Sequence, residues 1–584
     1  MLWREGLLVK LLKYGVNGRL FSWIKNFLED RTIQVRVGDV MSATVLVENG
    51  TPQGSVISPV LFNVMINDIF LDLNQGTGRS LFADDGALWV KGRNVPFILR
   101  RLQGELNVVE KWAGKWGFKI SVSKSKYVFF SRTRKKWDMS LTLYDSPIER
   151  VESFKYLGVW FDSKLNWNIH ISKVIAKTVK VINVMRCLTG YSWGAEKGTL
   201  LTIYQAMIRS IFDYGCQVYG AASNSALKRL DVIQSKALRV CCGAFASTST
   251  SALLVETGEK PLRLRRIQLT LHYWNRLRER TSLCPASPIL TDCYEFTSGQ
   301  VKGQPFLKQC MPWAKDFNLF DMVPVKSTFW GPIPAWLLPP VQVDLRLHED
   351  KHNEDVEFSS DSASEYIQNK WGSALQIYTD GSKDPESGRV SCAFCIPQLS
   401  VKYGYRLSDN MAVFTAESMG ILKALQWVVE AQAKNVVLCS DSFSLLQCLK
   451  TYYSNARPDL ISDILLLMNS LHLSGCDVSL LWVPAHIGIS GNEVADKLAR
   501  EYLSINDITL AVGPGRTELR SQLMGNIFQT WQAEWDKDLK GRHLYSIQPS
   551  VNTLCTLSGG RSQQVVLTRL RLGHYALNSV TSDP

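Results

Sequence analysis

NVVLCSDSFSLLQCLKTYY, residues 435–453, reads as an apolar strand closed by an acid, Asp441, and followed directly by a helix. LQIYTDGS, residues 375–382, has a similar strand that ends at Asp380. Between the two, VSCAFCIP and VKYGYRL have strand character, and AESMGILKALQWVVEA carries apolar residues at helical spacing. Beyond them DLISDILLLMNSLHLSG reads as a helix, VSLLWVPA as a fifth strand and NEVADKLAREYL as a last helix. A meander followed by strand–helix alternation predicts an α/β unit with a mixed five-stranded sheet. Asp380 and Asp441, each at a strand end, would then meet at one edge of that sheet.

Two more acids belong to this pattern. Glu417 falls in the first turn of its predicted helix, and Asp496 in the helix after the loop GISGNE. Gly488 and Gly491 would let that loop bend, and His486 rides on it ten residues before Asp496. Taken singly, each has an ordinary explanation. Asp380-Gly381 is a turn, Asp441-Ser442 a helix cap, Glu417 a helix starter, Asp496 a solvated position and His486 a surface histidine. Taken together, four converging carboxylates repel one another and are costly to bury without a cation. Their hard oxygens suit Mg²⁺ or Mn²⁺ better than zinc. The pattern predicts a metal-dependent phosphodiester enzyme.

At 584 residues the chain exceeds what one hydrophobic core supports, so three or four domains are expected. No apolar run is long enough for a membrane span, and MLWREGLLVKLLKYG lacks the layout of a secretory signal. Thirteen cysteines without regular spacing suggest reduced intracellular thiols, in nucleus or cytoplasm, and Cys392 and Cys395 read as core residues of one strand. The net charge of +13 is uneven. Residues 371–504 hold ten Lys/Arg against 13 Asp/Glu, which leaves 56 against 40 for the rest of the chain. Residues 91–136 hold 13 Lys/Arg and two acids, interleaved with Trp112, Trp116, Phe118, Tyr127, Phe129 and Phe130. A solvated face is the plain reading of such a run; a polyanion-binding surface fits its single sign and its aromatics better.

The first half has its own organisation. Helical spacing over residues 1–30 gives way to period two in TIQVRVGD and ATVLVENG, a predicted hairpin. A helix follows over SPVLFNVMINDIFLDL, then strand, tight turn and strand in RSLFADDGALWVKG, with Asp84 and Asp85 at the turn. A helix near 97–116 precedes FKISVS, KYVFFS and FKYLGVWFD, all strand-like, and helices continue from 172 to about 280. Residues 281–347 are Pro-rich and aperiodic, which predicts irregular connecting structure; 348–370 are polar and acidic, as in a flexible linker.

Residues 374–504 resemble a type 1 ribonuclease H domain, through IYTDGS, FTAESMGILKALQ, VVLCSDS, WVPAHIGISGNE and GNEVADKLAR. The resemblance implies an RNA–DNA hybrid endoribonuclease using two Mg²⁺ (or Mn²⁺) ions. Asp380 would bridge the ions, Glu417 and Asp441 would hold one and Asp496 the other, and His486 would move protons or release product. That family also carries a basic, Trp-bearing arm, for which this sequence has no counterpart.

Residues 1–270 resemble the reverse transcriptase of non-LTR, jockey-like retrotransposons. The likeness runs through GTPQGS, which includes Gln53 and Gly54, then FADD with Asp84 and Asp85, Lys124 in SVSKSK, and FKYLGVWFD. It implies template–primer nucleic acid as a partner. The third polymerase aspartate of that family lies in a strand ahead of residues resembling 2–8, so a truncated polymerase without useful DNA synthesis is expected. The predicted layout is therefore a truncated fingers and palm over 1–170, a helical thumb over 171–280, the connection 281–347, the linker 348–370, the nuclease over 371–505 and a truncated C-terminal extension over 506–584. The competing reading is a non-catalytic, nucleic-acid-binding relic of a transposon.

Overall fold

In the computed structural model, residues 2–131, 133, 137, 139–279, 305–322, 324–325, 337–352, 359–553 and 557–574 are described. The chain divides into two units, residues 1–173 and 174–584.

The first unit is held by an apolar cluster of Leu7, Leu11, Ile24, Leu28, Leu61, Met65, Val109, Trp112 and Trp116. These come from helices Arg4–Lys13, Gly18–Leu28, Ser58–Ile66 and Val95–Lys115, with Trp116 the C-cap of the last. Lys10 is buried among them because its ammonium bonds the Met65 carbonyl and Asp68 Oδ1, each at 2.5 Å, and lies 4.0 Å from the centre of the Trp116 ring. The indole Nε1 of Trp112 donates to the same Asp68 oxygen at 2.9 Å. Trp112 and Trp116, within the basic run, are thus core residues; Phe130 is exposed.

The predicted hairpin forms two short antiparallel pairs, Thr32–Ile33 with Val45–Leu46 and Arg36–Val37 with Val40–Met41. Strands Gly78–Phe82 and Asp85–Trp89 pair around the turn Ala83-Asp84. FKISVS is not a strand, since Ser125 N–H and Oγ both donate to the Ser121 carbonyl, at 3.0 and 2.8 Å, and close a turn there. FKYLGVWFD is a hairpin and not one strand: Leu157 and Gly158 have φ of 45° and 83° and reverse the chain between Ser153–Tyr156 and Val159–Asp162.

In the second unit, helices occupy most of 174–279, among them Asn224–Cys242 and Leu262–Glu279. Residues 281–304 and 326–336 lie outside the described residues. Within the expected irregular connection the structure has a helix, Pro305–Asp316.

A six-stranded sheet follows, whose elements are numbered here from its first strand. They are β1 Gln342–Asp344, α1 Arg346–Lys351, α2 Ser360–Trp371, β2 Leu375–Lys383, β3 Val390–Ile396, β4 Val401–Leu407, α3 Val413–Ala431, β5 Asn435–Ser440, α4 Phe443–Thr451, α5 Pro458–Leu473, β6 Asp477–Trp482 and α6 Ser490–Leu503. The strand order is β1-β6-β5-β2-β3-β4. β2, β3 and β4 form the antiparallel meander; β2, β5, β6 and β1 run parallel. Every residue of β3 is buried, as expected for a strand covered on both faces, and its free cysteines Cys392 and Cys395 sit in that core. A Cβ at Gly381 would meet the backbone of Glu417 on α3, and one at Gly491 on α6 would meet the Tyr378 ring. Positions 378 and 381 alternate across the pleat, so α3 and α6 cover opposite faces of the sheet.

The sixth strand corrects the five expected. β1 is three residues long in a Pro-rich stretch, too short for periodicity to show. The flexible linker expected over 348–370 is also corrected where it is described. Ser359 and Ser362 cap α2 reciprocally, at 3.2 and 2.9 Å, and Ala363 and Ile367 bury an i,i+4 stripe that the polar composition concealed. Leu345, Leu347, Ala363 and Ile367 belong to the same apolar cluster as the sheet. After α6 a seventh helix, α7 Arg516–Lys537, continues the unit. None of the described helices is long and apolar enough to cross a membrane.

Candidate active site

Asp380 lies inside β2, not at its end, because the strand continues to Lys383 against β3. Asp441 stands one residue past β5, as expected. α3 begins at Val413, so Glu417 is its fifth residue and sits beyond the first turn. Gly381 makes the geometry possible. Its missing Cβ would lie 2.5 Å from the Glu417 nitrogen, so no other residue lets α3 approach β2 this closely.

Ligating atoms of Asp380, Glu417 and Asp441 lie within 4.8 Å of one another. Burial and the neighbouring charges of Asp441 and Asp496 push the Asp380 carboxyl up to about 7. Burial, with Asp380 and Asp441 beside it, raises Glu417 well above the carboxylate range. Asp441 is also raised, chiefly by burial, although a hydrogen bond from the Asn492 side chain opposes the shift. Glu417 Oε2 is buried and has no hydrogen-bond partner. The Asp441 carbonyl accepts from Trp482 Nε1 at 3.0 Å and from the Phe443 N–H at 2.9 Å.

Asp496 falls in a second group, with His486 and Glu493, whose ligating atoms also lie within 4.8 Å of one another. Its Oδ2 is 3.7 Å from His486 Nδ1, and its Oδ1 accepts from Arg500 Nε at 2.8 Å. His486 is 63% exposed and has a φ of 57°. Gly488, at φ 96°, does bend the loop, and its N–H donates to Glu493 at 3.3 Å. Gly491 does not. It is already helical, and its bare Cα lets α6 pack on the Tyr378 ring.

Glu493 and Asn492 escaped the sequence reading. Their signal is the spacing to Asp496 of three and four residues, which acquires meaning once α6 is seen to start at Ser490. The connection between α4 and α5 is short, residues 452–457.

The polymerase-like residues are less assembled. Asp84 is in the turn and Asp85 opens the second strand of its hairpin, both exposed. Gln53 and Gly54 are exposed in the loop before helix Ser58–Ile66, and Lys124 is exposed in the turn that replaced the expected strand. Among the described residues, Asp84 and Asp85 join no group of three ligating side chains.

Comparison with known proteins places these two regions. Residues 372–504 match the family model for RNase H, and residues 2–161 the model for reverse transcriptase (RNA-dependent DNA polymerase). The chain therefore carries a reverse transcriptase domain followed by an RNase H domain. Its relatives are RNA-directed DNA polymerases of jockey and other non-LTR retrotransposons. The jockey enzyme of Drosophila melanogaster is 29% identical over 248 residues, 41% of this chain and 27% of its own length. That of Drosophila funebris is 30% identical over 249 residues, with the same coverage. The chain thus spans about a quarter of the length of these relatives. RNase H1 of the archaeon Halobacterium salinarum is similar at 22% identity, covering 22% of this chain and 97% of its own, with a TM-score of 0.19.

Proposed function

We propose that the second unit hydrolyses the RNA strand of RNA–DNA hybrids in a reaction that needs a divalent cation. The buried, partnerless Glu417 Oε2 within the Asp380–Glu417–Asp441 cluster carries this reading. A buried carboxylate oxygen without a donor, beside two further acids, must take either a proton or a cation, and one bound cation would satisfy all three acids together. The all-oxygen donor set fits Mg²⁺ or Mn²⁺.

Asp380, Glu417 and Asp441 would hold one ion, and Asp496 with Glu493 and His486 a second. When bound, such ions make water acidic enough to attack phosphorus and neutralise the leaving oxygen. The chain's own groups do the rest. Asn492 and Trp482 orient Asp441. His486, on its exposed loop, gives or takes a proton at a ring nitrogen beside Asp496. The 2′-hydroxyls of an A-like hybrid, open across its wide minor groove, supply the discrimination for RNA. The basic run 91–136 is the proposed grip on template–primer duplex.

The test is cleavage of a hybrid with end-labelled RNA in Mg²⁺. The wild-type chain should cut, and Asp441→Asn should lower the rate by about 10²–10³-fold, on the scale of a lost electrostatic stabiliser of the transition state. Salt-sensitive hybrid binding without cleavage by wild type would instead favour the non-catalytic binding module.

A further inference from the structure

We propose that His348, outside the matched nuclease region, is a positioning residue for Asp441. The proposal rests on Asp441 being a cation ligand, and it concerns what holds that ligand still.

The Asp441 carbonyl receives two hydrogen bonds, from the Phe443 N–H and from Trp482 Nε1. The rings of these same two residues flank His348. Its imidazole stacks on Phe443 with centroids 3.9 Å apart at 16°, and meets Trp482 edge-on at 4.9 Å and 78°. On the side of its own helix the His352 ring stacks on it at 4.4 Å and 28°.

The imidazole is in turn well anchored. β1 pairs with β6 in parallel, from Gln342 opposite Ser479 to Asp344 opposite Leu481. Asp344 Oδ1 accepts from the Arg346 N–H at 3.1 Å at the start of α1. Asp344 Oδ2 accepts from Tyr366 and Lys370, each at 2.8 Å. Tyr452 donates to the Pro339 carbonyl at 2.8 Å and accepts from the Val341 N–H at 3.0 Å. Leu345, the N-cap of α1, and Leu347, in its first turn, are buried in the core. His348 is therefore a flat wedge on a fixed strap, set against both donors that fix the Asp441 backbone. Removing it frees the Phe443 and Trp482 rings, and with them the turn that aims the Asp441 carboxylate.

The experiment compares His348→Ala and His348→Phe in the full chain, the second keeping a planar ring. Hydrogen exchange at the Phe443 amide is expected to quicken in His348→Ala, with the β2 and β5 amides unchanged. Mn²⁺ affinity, read by calorimetry, should fall about tenfold, as for loss of an outer-shell support. The kcat for hybrid cleavage should fall with KM unchanged, and His348→Phe should restore all three. Unchanged exchange at Phe443 in His348→Ala overturns the proposal, as does exchange quickened equally throughout the unit. If wild type cleaves no hybrid yet the Phe443 amide still responds to His348→Ala, the hybrid-nuclease reading fails and the positioning role stands.

Discussion

Asp380 shows how far one residue was legible and where that stopped. Its phrase, IYTDGS, marked it as a ligand candidate, but its environment is a product of Gly381, Glu417 and Asp441 packed around it. Its carboxyl is raised from 3.8 to about 7, so the folded, metal-free protein holds a proton that the unfolded chain has lost between those values. Stability therefore falls as pH rises through that window, by on the order of 4 kcal/mol. In EDTA the melting temperature of this unit should be lower at pH 8 than at pH 5, and Mg²⁺ should raise it more at pH 8. Asp380→Asn should flatten the EDTA profile and abolish the Mg²⁺ gain. Equal melting of wild type and variant at pH 8 in EDTA would sink this account. The tryptophans of the basic run show a related limit. Composition sees aromatics among lysines, whereas Trp112 and Trp116 are buried against Lys10 from another helix.

Among elements, the long strands and helices were readable because their period repeats several times. α3 and α5 carry apolar faces over 19 and 16 residues. β1, only three residues long, repeats too little to be seen. α2 hid behind a serine-rich, acidic composition although its capping box was present in the sequence. Gly381→Ala tests how β2 and α3 fit. With a Cβ 2.5 Å from the Glu417 nitrogen it should destabilise the unit by about 1–3 kcal/mol in urea and reduce cleavage by displacing Glu417. Asp344→Asn tests the annexed strand. Hydrogen bonds from Lys370, Arg346 and Tyr366 hold the Asp344 carboxyl below its usual range, against the opposing effect of burial. Its contribution is present at neutral pH and lost as pH falls through that lowered value. The variant should melt lower than wild type at pH 7, with the gap closing in strong acid.

At the scale of the whole molecule, Glu518 on α7 reaches back beyond the matched nuclease region. It accepts from the Ala412 N–H at 3.4 Å and bonds the Thr415 hydroxyl, so it caps α3, whose own N-cap, Ala412, has no side chain that can do so. Arg457 stands 3.8 Å away, buried with it. Glu518→Ala should cost about 2–3 kcal/mol in chemical denaturation, less than a fully broken buried pair because Asp459 still holds Arg457. An unchanged midpoint would remove Glu518 from the fold's support. In the first unit, Asp84 and Asp85 join no group of three ligating side chains among the described residues. The sequence by itself determined the α/β order and singled out the four acids and His486 as candidates, because local strings carry periodicity and chemistry together. Only the tertiary structure decided the sixth strand, the capping of α3 by Glu518 and the packing of His348 against Phe443 and Trp482. Each of these is a contact between segments far apart in the chain, set by packing geometry that no local pattern records.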